Sequence, residues 1–354
     1  MIGWRIGNPE TRNTLIAAVL LAFTSPLHAL PLSDTLPPWR DPSPHREIHI
    51  QIGKAVQLEV LDWGGSGPPL VFLSGLQDVA HGFDDFAPEF TRDHHVLAIT
   101  RRGYGASSQP RSGYDLASRV ADLRAVLDSL GLSRVTLVGH SIAGDELTAF
   151  AAKYPARVTG LVYLDAAYDH SSLREVLGEF PPPPPMLARD SASPRAVQAY
   201  LRRTFGMHIP EAQLRAIGRY DSAGRLVADV TPSTIDSLIL IGCGHPDYAA
   251  VRAPALVIDA VVDSVGQVFP YWAELDPPRQ DAARRFTTAL QRWMAVERAR
   301  VRRELPSAQV LELHGANHYV FDSNRADVIR LMRMFLATNA WPASAAQGGS
   351  KVSP

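Results

Sequence analysis

The chain has 354 residues, of which 46% are hydrophobic and 20% charged, so it can form one large α/β domain with an insertion or about two domains. Its formal net charge of −1 gives no electrostatic basis for binding nucleic acid or an anionic membrane. The single cysteine, Cys243, excludes an internal disulfide and any metal cluster built from cysteines.

The N-terminus has the composition of a signal peptide. Arg5 and Arg12 precede an apolar run from residue 15 to residue 23, and small and polar residues lead to a possible cleavage point after Ala29. The run is shorter than the ~20 residues that cross a bilayer, so no stable membrane span is expected after cleavage. Residues 1–29 therefore predict an exported protein, periplasmic or secreted, with an uncleaved anchor or an amphipathic start as alternatives.

The next segments predict the beginning of a sheet. Residues 30–44 are rich in proline and serine and predict an extended lead-in. Glu47–Ile52 and Val56–Leu61 have the composition of an antiparallel hairpin at a sheet edge. Leu70–Leu73 is continuously apolar, which is typical of a strand covered on both faces.

A helix, a strand and a second helix are expected after this strand. Val79–Thr91 predicts a helix interrupted near a proline, Val96–Thr100 a buried strand, and Leu116–Leu130 an amphipathic helix. Arg101 and Arg102 open the glycine-containing loop that follows the strand Val96–Thr100. A structural role in holding that loop is favoured over an anion site.

A serine lies at the apex of a predicted strand–turn–helix. The apolar run Val135–Val138 ends in Gly-His-Ser, and a helix is predicted from Ile142 to Lys153, which is the layout of a nucleophile elbow around Ser141. Ala143 stands where the usual pattern has glycine, and a glycine follows it. Here the chain resembles the α/β-hydrolase superfamily, and the resemblance implies that Ser141 is the nucleophile.

The same resemblance implies an oxyanion hole. The helix N-terminus directs the Ile142 N–H toward an oxyanion formed at the serine. In the superfamily the loop after the Leu70–Leu73 strand usually carries His-Gly, and the next residue donates a second N–H. Here Ser74 replaces the histidine, Gly75 is kept, and Leu76 occupies the donor position.

The order of elements predicts an α/β fold with a doubly wound, mostly parallel sheet, since strands alternate with helices from residue 70 to residue 164. Ligands bind such sheets at the carboxyl ends of the strands. The core is expected at 45–167 and 253–340, with a helical lid insertion at 168–252 and a disordered tail at 341–354. Three insertion helices are predicted, at Arg195–Phe205, Glu211–Tyr220 and Ser233–Leu240, although the prolines at 181–185 also fit a stiff connector.

The resemblance also implies a histidine and an acid for the serine. Of the two histidines after the last predicted strand, His318 matches the superfamily's histidine loop better than His314. Asp263, nine residues beyond the strand-opening Pro254, matches the commonest position of the acid. Asp165, at the end of the preceding strand, is the alternative.

The expected activity is hydrolysis of a carboxylic ester, lactone, thioester or amide through a Ser-His-Asp triad and an acyl-enzyme. C–C hydrolysis, a haloperoxidase or perhydrolase-like activity, and a non-catalytic receptor are the alternatives. A small-molecule acyl substrate is expected, with no cofactor and no metal, and the oligomeric state stays open. Phe269, Tyr271 and Trp272 line an acyl pocket with Met207 or simply pack against the core, and Gln280–Glu304 predicts a long exposed helix.

Overall fold

A computed structural model of the protein describes residues 39–173, 176 and 180–338. The predicted signal peptide at 1–29, most of the lead-in and the predicted tail at 341–354 lie outside the described residues.

The core is an eight-stranded sheet with the strand order β1-β2-β4-β3-β5-β6-β9-β10. The first two pairings, β1 with β2 and β2 with β4, are antiparallel, and the remaining pairings are parallel. The strands of this sheet are Arg46–Gln51 (β1), Gln57–Gly64 (β2), Pro69–Leu73 (β3), His95–Ile99 (β4), Val135–His140 (β5), Val158–Leu164 (β6), Ala255–Val261 (β9) and Ala308–His314 (β10). The doubly wound, mostly parallel sheet expected from the alternation of elements is confirmed.

Helices cover both faces of the sheet. The α-helices are Leu116–Ser129 (α1), Ala143–Lys153 (α2), Pro194–Phe205 (α3), Glu211–Ile217 (α4), Ser233–Ile241 (α5), Val265–Val268 (α6), Pro277–Glu304 (α7), Val320–Ser323 (α8) and Arg325–Thr338 (α9). Side chains alternate between the faces along each strand, so Val71 joins the core cluster under α1 and α2 and Phe72 joins the cluster under α9. Burial on both faces explains the unbroken apolar runs of the central strands.

The segment between β6 and β9 forms an insertion. Helices α3, α4 and α5 begin within one residue of the predicted positions. Ser193 caps α3 by accepting from the Ala196 N–H, with Pro194 in the first turn. The predicted helix at Glu211–Tyr220 is too long, because its last residues, Gly218–Tyr220 (β7), pair with Leu226–Asp229 (β8) in a small antiparallel sheet.

Two other elements differ from expectation. The predicted helix at Val79–Thr91 is two short 3₁₀ turns, Ala80–Phe83 and Ala87–Phe90, since Pro88 cannot supply a backbone donor within an α-helix. Helix α7 is present, but it is not fully exposed, because residues such as Phe286 and Met294 are buried.

No helix in the described part of the chain is both long and apolar enough to cross a membrane.

Candidate active site

Ser141 stands at a strained turn between a buried strand and a buried helix. Every residue of β5 is buried, and Ser141 follows it with a φ of 55°, a conformation that non-glycine residues rarely adopt. The Ser141 carbonyl accepts from the Gly144 N–H at 2.9 Å, which closes the turn into α2. This geometry is that of the predicted nucleophile elbow.

In the helix after the serine, the position that must be glycine is 144, and position 143 accepts alanine. A Cβ on Gly144 would collide with the carbonyl oxygen of Ala166, in the loop after β6. The methyl group of Ala143 is fully buried without such a conflict. The departure from the usual pattern is therefore accommodated, because the close approach of helix and loop occurs one residue later.

The loop after β3 lies against the serine. A Cβ on Gly75 would be 3.3 Å from the Ser141 Cβ. Arg101 is buried and donates to the carbonyl oxygens of Ser74 at 2.9 Å and Gly75 at 3.1 Å, while its Nε donates to Glu146 at 2.7 Å. Arg101 therefore has a structural role, as expected, but the loop that it holds is the one after β3 and not the loop that it opens.

Arg101 also orients the Leu76 peptide group. The C=O and N–H of a trans peptide point in opposite directions, so the N–H of Leu76 points away from Arg101 when the Gly75 carbonyl accepts from it. Leu76 and Ile142 are both buried, and both line the same cavity as Ser141.

His318 pairs with Asp165. The His318 Nδ1 lies 2.6 Å from Asp165 Oδ2. Asp165 follows β6 and His318 follows β10, so the histidine loop passes the end of β9, which lies between those strands. A carboxylate is only an acceptor, so this contact places the imidazole proton on Nδ1 and leaves Nε2 as the proton acceptor.

The other carboxylate oxygen of Asp165 is also occupied. Its Oδ1 accepts from the Tyr168 hydroxyl at 2.5 Å and from the Ala260 N–H at 2.9 Å. Burial, followed by the negative charge of Asp165, raises the pKa of Tyr168 well above its usual value, so the phenol remains a donor. The carboxylate is therefore fixed in position by three donors from three parts of the chain.

A second carboxyl group lies near this one. Asp259, within β9, is 1% exposed, as expected for a side chain that points into a packed face. Burial, followed by the charge of Asp165, raises the pKa of Asp259 well above its usual value. Burial in this position therefore favours the neutral form of the Asp259 carboxyl group over its charged form.

The structure does not bring Asp263 to His318, which corrects the pairing expected from its distance to Pro254. Asp263 Oδ1 lies 2.9 Å from His314 Nδ1, and its Oδ2 accepts from the Gly315 N–H. The parallel register sets His314 beside Val261, so the first residues after β10 meet Asp263 and the later ones reach Asp165. The hydrogen bond from His314 lowers the pKa of Asp263.

Ser141, Asp165 and His318 share one cavity of about 270 Å³ under the insertion. Its wall combines apolar residues of the insertion with one face of α7. These apolar residues include Leu173, Phe180, Leu201, Phe205, Met207, Ile209, Ile217, Leu240, Phe286, Leu290, Trp293 and Met294. Met207 lines the cavity, in agreement with one of the two interpretations of the sequence. Phe269 and Tyr271 instead pack in a hydrophobic cluster with Phe180 and Phe286.

Comparison with known proteins agrees with this geometry. A model of the α/β-hydrolase fold family matches residues 68–203. The solved structure of an E-2-(acetamidomethylene)succinate hydrolase has a TM-score of 0.59 and 20% sequence identity, over 83% of this chain and 99% of that one. The chain therefore has the α/β-hydrolase fold.

Two bacterial proteins are also similar to this chain in sequence. An uncharacterized protein of Mycobacterium tuberculosis is 24% identical over 284 residues, which are 77% of this chain and 76% of the relative. A non-heme chloroperoxidase of Streptomyces lividans is 28% identical over 209 residues, which are 54% of this chain and 68% of that protein.

A polar cluster joins the insertion to the α/β-hydrolase core, and sequence reasoning missed it. Asp78 accepts from the Gln213 side chain of α4 at 2.5 Å and from the Tyr319 hydroxyl at 3.0 Å. His140 is fully buried, which lowers its pKa and keeps it neutral, and its Nε2 donates to the His318 carbonyl oxygen at 3.0 Å. The position of Asp78 three residues after Gly75 was a signal, but its partners are too distant in sequence to be identified.

Proposed function

We propose that this chain is a serine hydrolase that cleaves a carboxylic ester through an acyl-enzyme. Ser141 is the nucleophile, His318 the general base and Asp165 the acid. The observation that carries the proposal is the presence in one cavity of a serine on a strained turn and a histidine whose Nδ1 is bonded to a buried carboxylate.

The first half of the reaction transfers the acyl group to the enzyme. Ser141 Oγ attacks the ester carbonyl while His318 Nε2 accepts the hydroxyl proton, and Asp165 stabilises the resulting imidazolium. The tetrahedral intermediate then collapses as His318 returns this proton to the leaving alcohol. In the second half of the reaction, His318 deprotonates a water molecule, which attacks the acyl-Ser141 ester. The carboxylic acid is released, and Ser141 recovers its proton from His318.

The backbone N–H groups of Leu76 and Ile142 form the oxyanion hole in this mechanism. Such donors stabilise the charge that develops on the carbonyl oxygen, and removing one typically costs 10²–10³-fold in kcat, about 2.7–4 kcal/mol. The anchoring of Ser74 and Gly75 by Arg101 supports this role, because a preformed donor requires no reorganisation during the reaction.

The cavity favours an apolar acyl group of small or medium size. Its wall is mainly aliphatic and aromatic, and Ser141, Asp78 and Gln213 are among its fewer polar residues. Pockets of this kind bind the apolar part of a ligand by burial and orient it through a few polar contacts. A series of p-nitrophenyl esters should therefore show kcat/KM rising with acyl length and then falling once the chain exceeds the cavity.

Perhydrolysis is a second candidate, favoured by the similarity to the chloroperoxidase. In that reaction hydrogen peroxide replaces water, so the acyl-enzyme is converted into a peracid and free Ser141. Mass spectrometry of the acyl-enzyme, followed by product analysis with and without peroxide, distinguishes the two outcomes. Acetic acid alone from an acetyl ester in the presence of peroxide would exclude perhydrolysis.

The proposal is tested first at the nucleophile. Ser141→Ala should abolish labelling by a fluorophosphonate probe and lower kcat on an activated ester by a factor on the order of 10⁶. Its thermal midpoint should not fall below that of the wild type. Ser171→Ala, at a serine outside the cavity lining, is the matched control and should label normally. Persistent labelling of Ser141→Ala would place the nucleophile elsewhere.

A further inference from the structure

Two histidines and two aspartates meet away from the cavity. Asp41 and His45 precede β1, and His81 and Asp84 belong to the first 3₁₀ turn and the residue after it. Each offers one ligand atom, and these atoms all lie within 4.8 Å of one another. None of the four is among the residues that line the cavity. We propose that this cluster, which we call the His₂Asp₂ cluster, binds one Zn²⁺ ion that fastens the segment before β1 to the first 3₁₀ turn.

The spacing of the ligand atoms suits a tetrahedral ion. Zinc binds imidazole nitrogen and carboxylate oxygen at about 2.0–2.2 Å, and a tetrahedron of that size has edges of about 3.3–3.6 Å. His81 Nδ1 lies 3.3 Å from Asp41 Oδ2 and 2.8 Å from Asp84 Oδ2, and His45 Nδ1 lies 3.1 Å from Asp84 Oδ1. Because other separations among the four ligand atoms extend up to 4.8 Å, the cluster would contract by as much as about an ångström around a bound ion.

Two buried polar atoms of the cluster support a ligand. The side chains of His45 and Asp84 are 7% and 4% exposed. The His45 Nδ1 and Asp84 Oδ1 atoms are buried and lie 3.1 Å apart, and neither makes a hydrogen bond of normal geometry among the described residues. Buried polar atoms are normally hydrogen-bonded, so a nitrogen and a carboxylate oxygen that make only this ionic contact are suited to hold a cation.

Neighbouring groups hold two of the four ligands, Asp41 and His45, in place. The Ser43 N–H donates to Asp41 Oδ1 at 2.8 Å, which leaves Oδ2 turned toward the two histidines. The Trp63 indole donates to Ser43 Oγ at 2.9 Å, and its ring packs against the edge of His45 with centroids 5.6 Å apart. Partners of this kind fix ring orientation and typically alter metal affinity by 10–100-fold.

The charge of the cluster also favours a dication. A metal ion binds the deprotonated forms of its ligands, which here are two carboxylates and two neutral imidazoles. One Zn²⁺ ion neutralises the charge of −2 that such a ligand set carries.

The test is metal stoichiometry on the full chain purified without a histidine tag. After EDTA treatment, incubation with Zn²⁺ and gel filtration, mass spectrometry of the metal should find about one Zn²⁺ per chain. The thermal midpoint should rise by about 3 °C or more relative to the EDTA-treated protein. Cobalt substitution should give the visible absorption bands of tetrahedral Co²⁺.

Variants separate the cluster from other histidine sites. Asp41→Asn, at the most exposed ligand, and His45→Gln should each lose at least tenfold in zinc affinity. His49→Gln is the matched control, since His49 is on β1 and faces Glu47 outside the cluster, and it should bind like the wild type. Ser141→Ala should also bind zinc normally, so this proposal and the proposed hydrolase activity can fail independently.

The inference would be overturned by less than about half an equivalent of bound zinc in the wild type, or by equal zinc binding in the wild type and both ligand variants. Tighter binding of Mg²⁺ or Ca²⁺ than of Zn²⁺ would also overturn it, because those ions prefer more oxygen ligands and a larger coordination number.

Discussion

Two aspartate–histidine pairs lie at the same edge of the sheet, and they differ in burial. Asp165 is 3% exposed and bonded on both oxygens, whereas Asp263 is 44% exposed and pairs with His314, which is 70% exposed. An ion pair in water contributes little to stability and orients its partner weakly. The comparison teaches that an Asp–His contact alone is a weak basis for proposing a catalytic pair. A carboxylate fixed on both oxygens and access to the cavity that contains Ser141 are a stronger basis.

The largest expected effect separates the two histidines. His318→Ala should lower kcat on an activated ester by a factor on the order of 10⁵–10⁶, because the base that accepts the Ser141 proton is removed. His314→Ala, the matched control, should retain wild-type kcat. Steady-state kinetics on one p-nitrophenyl ester measures both. A comparable loss in His314→Ala would mean that the histidine loop acts as a unit and that burial is a poor guide to function.

A smaller effect is expected at the two acids. Asp165→Asn should lower kcat by about 10³–10⁴-fold, because an amide cannot hold the His318 tautomer with Nδ1 protonated. Asparagine suits the test, since it tolerates the positive φ of Asp165. Asp263→Asn should stay within about threefold of the wild type. If the two results were reversed, the exposed pair would be the functional one and the acid would pass to Asp263.

The smallest effect concerns the donor that holds the acid. Tyr168→Phe removes one hydrogen bond to Asp165 and should lower kcat by roughly 10–150-fold, which corresponds to the ~1.5–3 kcal/mol of a hydrogen bond to a charged group. Tyr271→Phe is the matched control, since the buried Tyr271 hydroxyl has no hydrogen-bond partner among the described residues. KM should be nearly unchanged in both variants. An unaltered kcat in Tyr168→Phe would show that the Ala260 N–H alone fixes the carboxylate.

Local patterns in the sequence were sufficient to predict the sheet and the elbow. The burial of β5 and the turn at Ser141 depend on residues that are adjacent in the chain, and the parallel crossovers follow from the order of elements. The choice between Asp165 and Asp263 depends on how far the loop after β10 extends past the end of β9. No local pattern encodes that distance.

Long-range contacts account for the other differences. The face of α7 that lines the cavity was hidden by its many charges, which occupy the opposite face. The sequence did not predict the His₂Asp₂ cluster, because its two halves are separated by nearly forty residues and neither half resembles a metal motif by itself. In both cases the chemistry appears only when the fold brings distant segments together.

Three described non-glycine residues have positive φ angles, Gln77, Ser141 and Asp165, and all three line the cavity. Each such position costs on the order of 1–3 kcal/mol, which the surrounding packing must offset. Selection for thermostability alone would therefore replace these residues first, with glycine or asparagine, and activity would be lost as stability rose. Laboratory evolution of this protein must therefore include a screen for turnover at every round. The substitutions that stabilise the fold most readily fall at strained positions, and these include residues that we propose carry the reaction.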